Sequence, residues 1–158
     1  MPSQLLCTAG PHGNYSVWDF EVFGNAEIAL GRTSTASGFQ ATSSNDMQAF
    51  AAFDGNVNTR WSAGGGGTQW LRVDLGASTR LSRVNLNWEA AYGSTYKVQL
   101  SDDASTWRDA YSTSTGDGGT DELLLTPGTN TTGRYMRIWI TGGPHGNYSL
   151  WDVQVFAG

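Results

Sequence analysis

An all-β antiparallel sandwich is the fold this sequence predicts, and three of its features carry that expectation. Short apolar and polar alternations recur, as in Trp70-Leu-Arg-Val-Asp-Leu75 and Arg83-Val-Asn-Leu-Asn-Trp88, the period-two pattern of half-buried strands. Each is bounded by Gly, Asp, Ser or Asn, the residues of turns. Gly is abundant at 21 while long runs of Ala, Leu, Glu and Lys are missing, so little favours helix. At 158 residues, 39% hydrophobic and 15% charged, the chain suits one compact core.

In order, Ile28 to Leu30 is the first short strand of the domain, and Thr33 to Gln48 reads as polar loop without periodicity. Trp70 to Leu75 is a strand ended by Gly76, and Arg83 to Trp88 is a second. Tyr96 to Leu100, Leu123 to Leu125, Tyr135 to Ile140 and Trp151 to Phe156 complete the set. Ser101 to Trp107 reads as a turn whose one ring tucks under the sandwich edge, and the Gly-rich acidic run Thr115 to Glu122 reads as a plain hairpin connection. That run lacks the Lys of a phosphate loop and the spacing of a calcium loop.

A repeat marks the organisation. Thr8 to Phe23 reads TAGPHGNYSVWDFEVF and Thr141 to Phe156 reads TGGPHGNYSLWDVQVF, with twelve of sixteen positions identical. Residues 1–24 therefore read as the last strand of a preceding similar repeat plus a linker, and residues 25–158 as the domain proper. Exchange of the leading copy with the matching strand of a second molecule, giving a strand-swapped dimer, is the alternative.

Charge and composition exclude several functions. A net charge of -5 without a basic stripe argues against nucleic acid as partner. No stretch approaches 18 apolar residues, so no membrane span is expected, and residues 1–24 lack the charged start and apolar run of a signal peptide. Cys7 is the only cysteine, which leaves a free or intermolecular thiol. Seven Trp exceed what so small a core needs, and large amphipathic rings suit sugar and protein sites.

The stretch Ala51-Ala-Phe-Asp-Gly-Asn-Val-Asn-Thr-Arg-Trp61 concentrates turn, oxygen ligands and ring. Asp54, Asn56 and Thr59 offer oxygens around Gly55, so the loop suits either a hard cation such as calcium or a metal-free Asx-turn.

The order ALGRTSTAS, AFDGNVNTRW, WLRVDLG, LSRVNLNWE, YKVQLSDDASTW, RYMRIWIT and YSLWDVQVF closely resembles the discoidin, or coagulation-factor type C, domain. Within it, the sequence is similar to family 32 carbohydrate-binding modules, especially those appended to bacterial chitosanases and glucanases. The resemblance covers about Glu27 to Gly158. It implies an eight-stranded β-sandwich with jelly-roll topology, a secreted setting, and a non-catalytic module that holds an attached glycoside hydrolase on a polysaccharide. It also implies a structural calcium ion held by Ala51, Asp54, Asn56, Thr59, Trp151 and Asp152, where Asp152 stands in place of the family's longer Glu.

The same resemblance implies a sugar site on the loops Ser43 to Gln48, Trp61 to Gly67, Glu89 to Ser94 and Gly142 to Asn147. Arg60 and Glu89 are the leading ligand residues, through a guanidinium fork and a carboxylate for hydroxyls or a glucosamine ammonium, unless they pair with each other. Tyr92 is the candidate stacking ring because Ser62-Ala-Gly-Gly-Gly-Gly67 offers none, and His145, Asn147 and Asp46 are candidate polar contacts. A β-glucan or chitosan-like chain ranks ahead of a galactose-type sugar. Adhesion to protein or lipid through the same loops is the alternative function. Only Asp46 and Glu89 are carboxylates expected on these loops, which gives no basis for glycoside hydrolysis.

Overall fold

The computed structural model describes residues 26–42 and 47–158. Eight strands follow one another among them: β1 Ser34–Ala36, β2 Trp61–Ser62, β3 Gln69–Trp88, β4 Thr95–Ser101, β5 Arg108–Thr113, β6 Thr120–Leu124, β7 Thr132–Gly142 and β8 Ser149–Ala157. Every strand pair is antiparallel. Two short 3₁₀ turns, Ala49–Ala52 and Thr129–Thr131, are the only helical pieces among the described residues.

The architecture turns on β3. Its first half pairs with β1 and β7, its second half with β8 and β6. A five-stranded sheet β1-β3-β7-β4-β5 therefore shares a strand with a four-stranded sheet β2-β8-β3-β6. The pairing with β7 shifts register between Asp74 and Thr79, and Gly76 within that gap takes φ +87, which lets the strand bend from one sheet into the other.

Alternation then fills the interior. Leu71, Val73, Val98, Leu100, Ile138 and Ile140 come from one sheet, and Leu81, Val84, Leu86, Leu150 and Val155 from the other, all fully buried. Burying each such side chain contributes roughly 1.5–3 kcal/mol.

Several sequence expectations are corrected here. Ile28 to Leu30 is not a strand: only Glu27 bridges β8, at Phe156, because the Gly31 turn with φ +68 ends the pairing. The polar stretch Thr33 to Gln48 contains β1, whose pairing with β3 needs no apolar run of its own. Gly76 kinks rather than ends its strand, so two expected strands are one. β5 is an additional strand, and its Arg-Asp-Ala-Tyr-Ser-Thr sequence has no alternation of apolar residues to announce it. Thr115 to Glu122 is not a hairpin: β5 pairs with β4 and β6 with β3, so this connection passes between sheets. Trp107 does not tuck under an edge but stacks on Arg137, 4.1 Å from its ring centroid. The leading repeat, the possible swap and Cys7 lie outside the described residues.

Candidate functional site

Five connections gather at one end of the sandwich: residues 37–42, 63–68, 89–94, 114–119 and 143–148. Their bases are tied to each other. Glu89 N–H donates to the Ser149 carbonyl at 3.0 Å, Ser149 N–H to Ala91 at 2.8 Å, Ala63 N–H to Tyr148 at 2.8 Å and Ser94 N–H to Gly142 at 2.8 Å. Beneath them, Asp121 accepts from Trp88 Nε1 at 2.9 Å and from the Tyr96 hydroxyl at 2.6 Å. Trp88 N–H donates to Gly119 at 2.8 Å. This network fixes the 114–119 connection below the Glu89 loop. Asp121 is a residue that sequence reasoning missed, disguised by its place in an acidic Gly-rich run.

Glu89 follows β3 directly, and its Oε2 accepts from Ala91 N–H at 3.0 Å, which orients the carboxylate over its own loop. Tyr92, three residues on, meets His145 edge to face with centroids 6.0 Å apart. A Cβ on Gly118 would lie 2.7 Å from the Tyr92 ring, so only glycine allows this connection to close against it. His145 is exposed. The fold thus brings Glu89, Tyr92 and His145 to one rim.

Asn147 is placed differently. Its Oδ1 accepts from Gly65 N–H at 3.2 Å and its Nδ2 donates to Ser62 Oγ at 2.9 Å. Tyr148 adds a hydroxyl bond to the Gly67 carbonyl at 3.0 Å. The Gly64–Gly67 run has no side chains of its own, and the final loop supplies its braces. Arg60 forms no ion pair with Glu89 within 4 Å. Its guanidinium lies 4.9 Å from the Trp151 ring centroid, with Nε buried and without a hydrogen-bond partner. Asp46 lies outside the described residues.

A ring that sequence reasoning missed is Phe39, 52% exposed on the connection after β1. The adjacent backbone carries the loop: Gln40 N–H donates to Ser62 at 2.8 Å, and Gly38 accepts from Trp61 Nε1 at 3.0 Å. A lone aromatic in a polar stretch is its only signal. Trp61, which opens one of the loops expected to carry the sugar site, is itself fully buried.

The Asp54 loop lies beside β8, between its pairing with β2 and the Glu27 bridge. Asp54 Oδ1 accepts from Asn56 N–H at 2.8 Å and Oδ2 from the Thr59 hydroxyl at 2.8 Å, while the Asn56 carbonyl accepts from the same hydroxyl at 3.0 Å. Gly55 takes φ +69. A cavity of about 230 Å³ between this loop and β8 is lined by Glu27, Leu30, Phe53, Gly55, Asp152 and Gln154. Burial first, then the charges of Glu27 and Asp54, push the Asp152 carboxyl above its usual value. Glu27 is a further residue that the sequence does not single out. Its carboxylate accepts the N–H groups of Ala29 at 2.9 Å, Leu30 at 2.8 Å and Val155 at 3.1 Å. Among the described residues no three His, Cys, Asp or Glu side chains are arranged to hold a metal, so an ion here needs carbonyl and hydroxyl oxygens as well.

A further concavity, about 590 Å³, lies at the opposite end and is lined by Arg80, Asp102, Arg108, Pro127, Gly128 and Thr132. Its Arg108 is tied to Asp102 at 3.0 Å and to the Thr132 carbonyl, which makes it a braced crease between loops.

This architecture has close counterparts. Chitosan-binding module 1 of a chitosanase/glucanase from Paenibacillus sp. IK-5 superposes with a TM-score of 0.74 and 40% identity, covering 84% of this chain and 99% of that one. Chitosan-binding module 2 of the same enzyme, in complex with chitotriose, gives 0.75 and 33%, covering 82% and 99%. The polysaccharide lyase 8 family protein HylA of Enterococcus faecalis is 30% identical over 93 residues, 56% of this chain. The match spans only 7% of that much longer relative. Residues 33–153 match the F5/8 type C domain, and the chain belongs to that family.

Proposed function

We propose that the loop end binds a glucosamine-containing oligosaccharide of the chitosan type and that this domain is a non-catalytic targeting module. The observation that carries the reading is the rim on which the Glu89 carboxylate and the Tyr92–His145 ring pair stand, with the exposed Phe39 ring on another connection of the same end of the sandwich. A carboxylate accepts from a sugar ammonium, and rings take the apolar faces of pyranoses. Likeness at 40% identity to a chitosan-binding module supports the choice of sugar. Titration of the full chain with chitotriose, wild type beside Glu89→Ala, tests it. The surrounding protein would be a secreted polysaccharide-degrading enzyme, in keeping with the relatives.

Calcium belongs to the same proposal. Ala51, Asp54, Asn56, Thr59, Trp151 and Asp152 would hold the ion beside β8, and the mutual repulsion of Asp54, Asp152 and Glu27 is what a bound cation would relieve. The ion's contribution is structural, pinning the Asp54 loop to the last strand.

The leading repeat completes the organisation. Its differences from the second copy include Val17 for Leu150 and Phe20 for Val153, both of the latter being core residues. One change would leave space and the other would overfill it. The leading copy therefore suits the core of a preceding module better than a swap into this one, and tandem sites would raise avidity on a polymer.

A further inference from the structure

The outer face of the five-stranded sheet carries a platform separate from the loop end. Across one row, the register sets Thr35, Arg72, Arg137, Gln99 and Asp109 side by side on β1, β3, β7, β4 and β5. Arg72 and Arg137 are thus direct cross-strand partners, a like-charge arrangement that is unfavourable by itself.

Aromatic rings hold the pair. The Arg137 guanidinium lies 4.1 Å from the Trp107 centroid and 4.2 Å from that of Trp139. Arg72 lies 5.4 Å from Trp70 and 5.9 Å from Tyr135. Each cation is anchored through Nε, Arg72 to Thr35 Oγ1 at 3.1 Å and Arg137 to Gln99 Oε1 at 2.8 Å. Among the described residues neither has an ion-pair partner.

The carboxylates of this face are already engaged. Asp74 pairs with Arg134 at 2.8 Å, and Asp109 pairs with Lys97 at 2.6 Å and accepts from Gln99 at 2.6 Å. Four cations (Arg72, Lys97, Arg134, Arg137) against two anions (Asp74, Asp109) leave a surplus of two on this face, within a chain of net charge -5. That surplus is the stacked Arg pair. Burial and the Arg72 charge push the Arg137 guanidinium below its usual value, as expected of a cation lacking its counterion.

We propose that this sheet face is a second binding surface, specific for a uronate-containing polysaccharide. The half-buried rings of Trp70, Trp107, Tyr135 and Trp139 take the apolar faces of the pyranoses, and the Arg72–Arg137 pair takes their carboxylates. Along the strands the platform runs from Trp70 to Asp74, roughly 13 Å at the strand rise, long enough for a short run of sugar rings. Phosphate polymers fit less well, because their dense charge meets an acidic protein with only two unpaired cations here.

The test uses the full chain and oligogalacturonate, with chitotriose, single-stranded DNA and phosphatidylserine vesicles as comparisons. Saturable, salt-weakened binding of oligogalacturonate is expected, with no competition from chitotriose. Arg72→Gln combined with Arg137→Gln should weaken it by about ten-fold or more, while Glu89→Ala leaves it unchanged. Since Arg137 also braces the sheet, Arg72→Gln alone is the second variant, expected to weaken binding several-fold in a protein of unchanged circular dichroism. Lack of oligogalacturonate binding overturns the proposal. So does undiminished binding in the folded Arg72→Gln protein, or tighter capture of DNA or vesicles.

Discussion

The Tyr96 hydroxyl donates to Asp121 Oδ2 at 2.6 Å, and this bond, with that from Trp88 Nε1 to the same oxygen at 2.9 Å, fastens the 114–119 connection beneath the Glu89 loop. Asp121→Ala leaves both donors without a partner. A loss of about 1–3 kcal/mol in chemical denaturation is expected, with weaker sugar binding because the floor of the rim loosens.

The same bond has a pH signature. Burial first, and then Asp121, raise the Tyr96 hydroxyl well above its ordinary value of 10.0. A raised folded value means the stabilisation is complete below the unfolded value and is lost as pH climbs above it. Thermal melts should therefore fall above about pH 10 in wild type, and less steeply in Tyr96→Phe.

Calcium should stabilise the fold through the Asp54 loop. At a hundred-fold excess over Kd the gain is about 2.7 kcal/mol, which corresponds to a rise in Tm of roughly 5–10 °C for a domain of this size. EDTA should reverse it, and Asp54→Ala should abolish the difference. A melt indifferent to both would remove calcium from the site.

Asn147 ties the Gly64–Gly67 loop to β2, its Oδ1 accepting from Gly65 N–H and its Nδ2 donating to Ser62 Oγ. Asn147→Ala should cost about 1 kcal/mol and raise hydrogen exchange at Gly65, whose N–H it receives. Unchanged exchange there would assign Asn147 to ligand rather than loop.

Transplanting the leading repeat's core residues tests the tandem reading. Leu150→Val with Val153→Phe should destabilise this domain by about 1–3 kcal/mol, read as a lower urea midpoint. Full stability would mean that the leading copy fits this slot, and would restore strand exchange.

What is legible in the sequence follows physical lines. Leu71 with Val73, Val84 with Leu86, and Val153 with Val155 alternate cleanly against polar neighbours, so the strands carrying core stand out. β5 does not, because Asp109 and Ser112 serve an outer polar row and its inner residues are small or amphipathic. Glu89, Tyr92 and His145 are legible as loop residues, and only tertiary contact joins Tyr92 to His145. Phe39 and Asp121 escape because their roles depend on segments far away in the chain. The Arg72–Arg137 pair is a matter of register between β3 and β7, which alternation alone leaves open.

Isothermal titration of the full chain with chitotriose, wild type beside Glu89→Ala and Arg72→Gln, decides whether the loop end is a chitosan-type site. Saturable binding by wild type is expected, retained in Arg72→Gln and weakened about ten-fold or more in Glu89→Ala. Binding that survives Glu89→Ala undiminished, or its absence in wild type, would refute such a site.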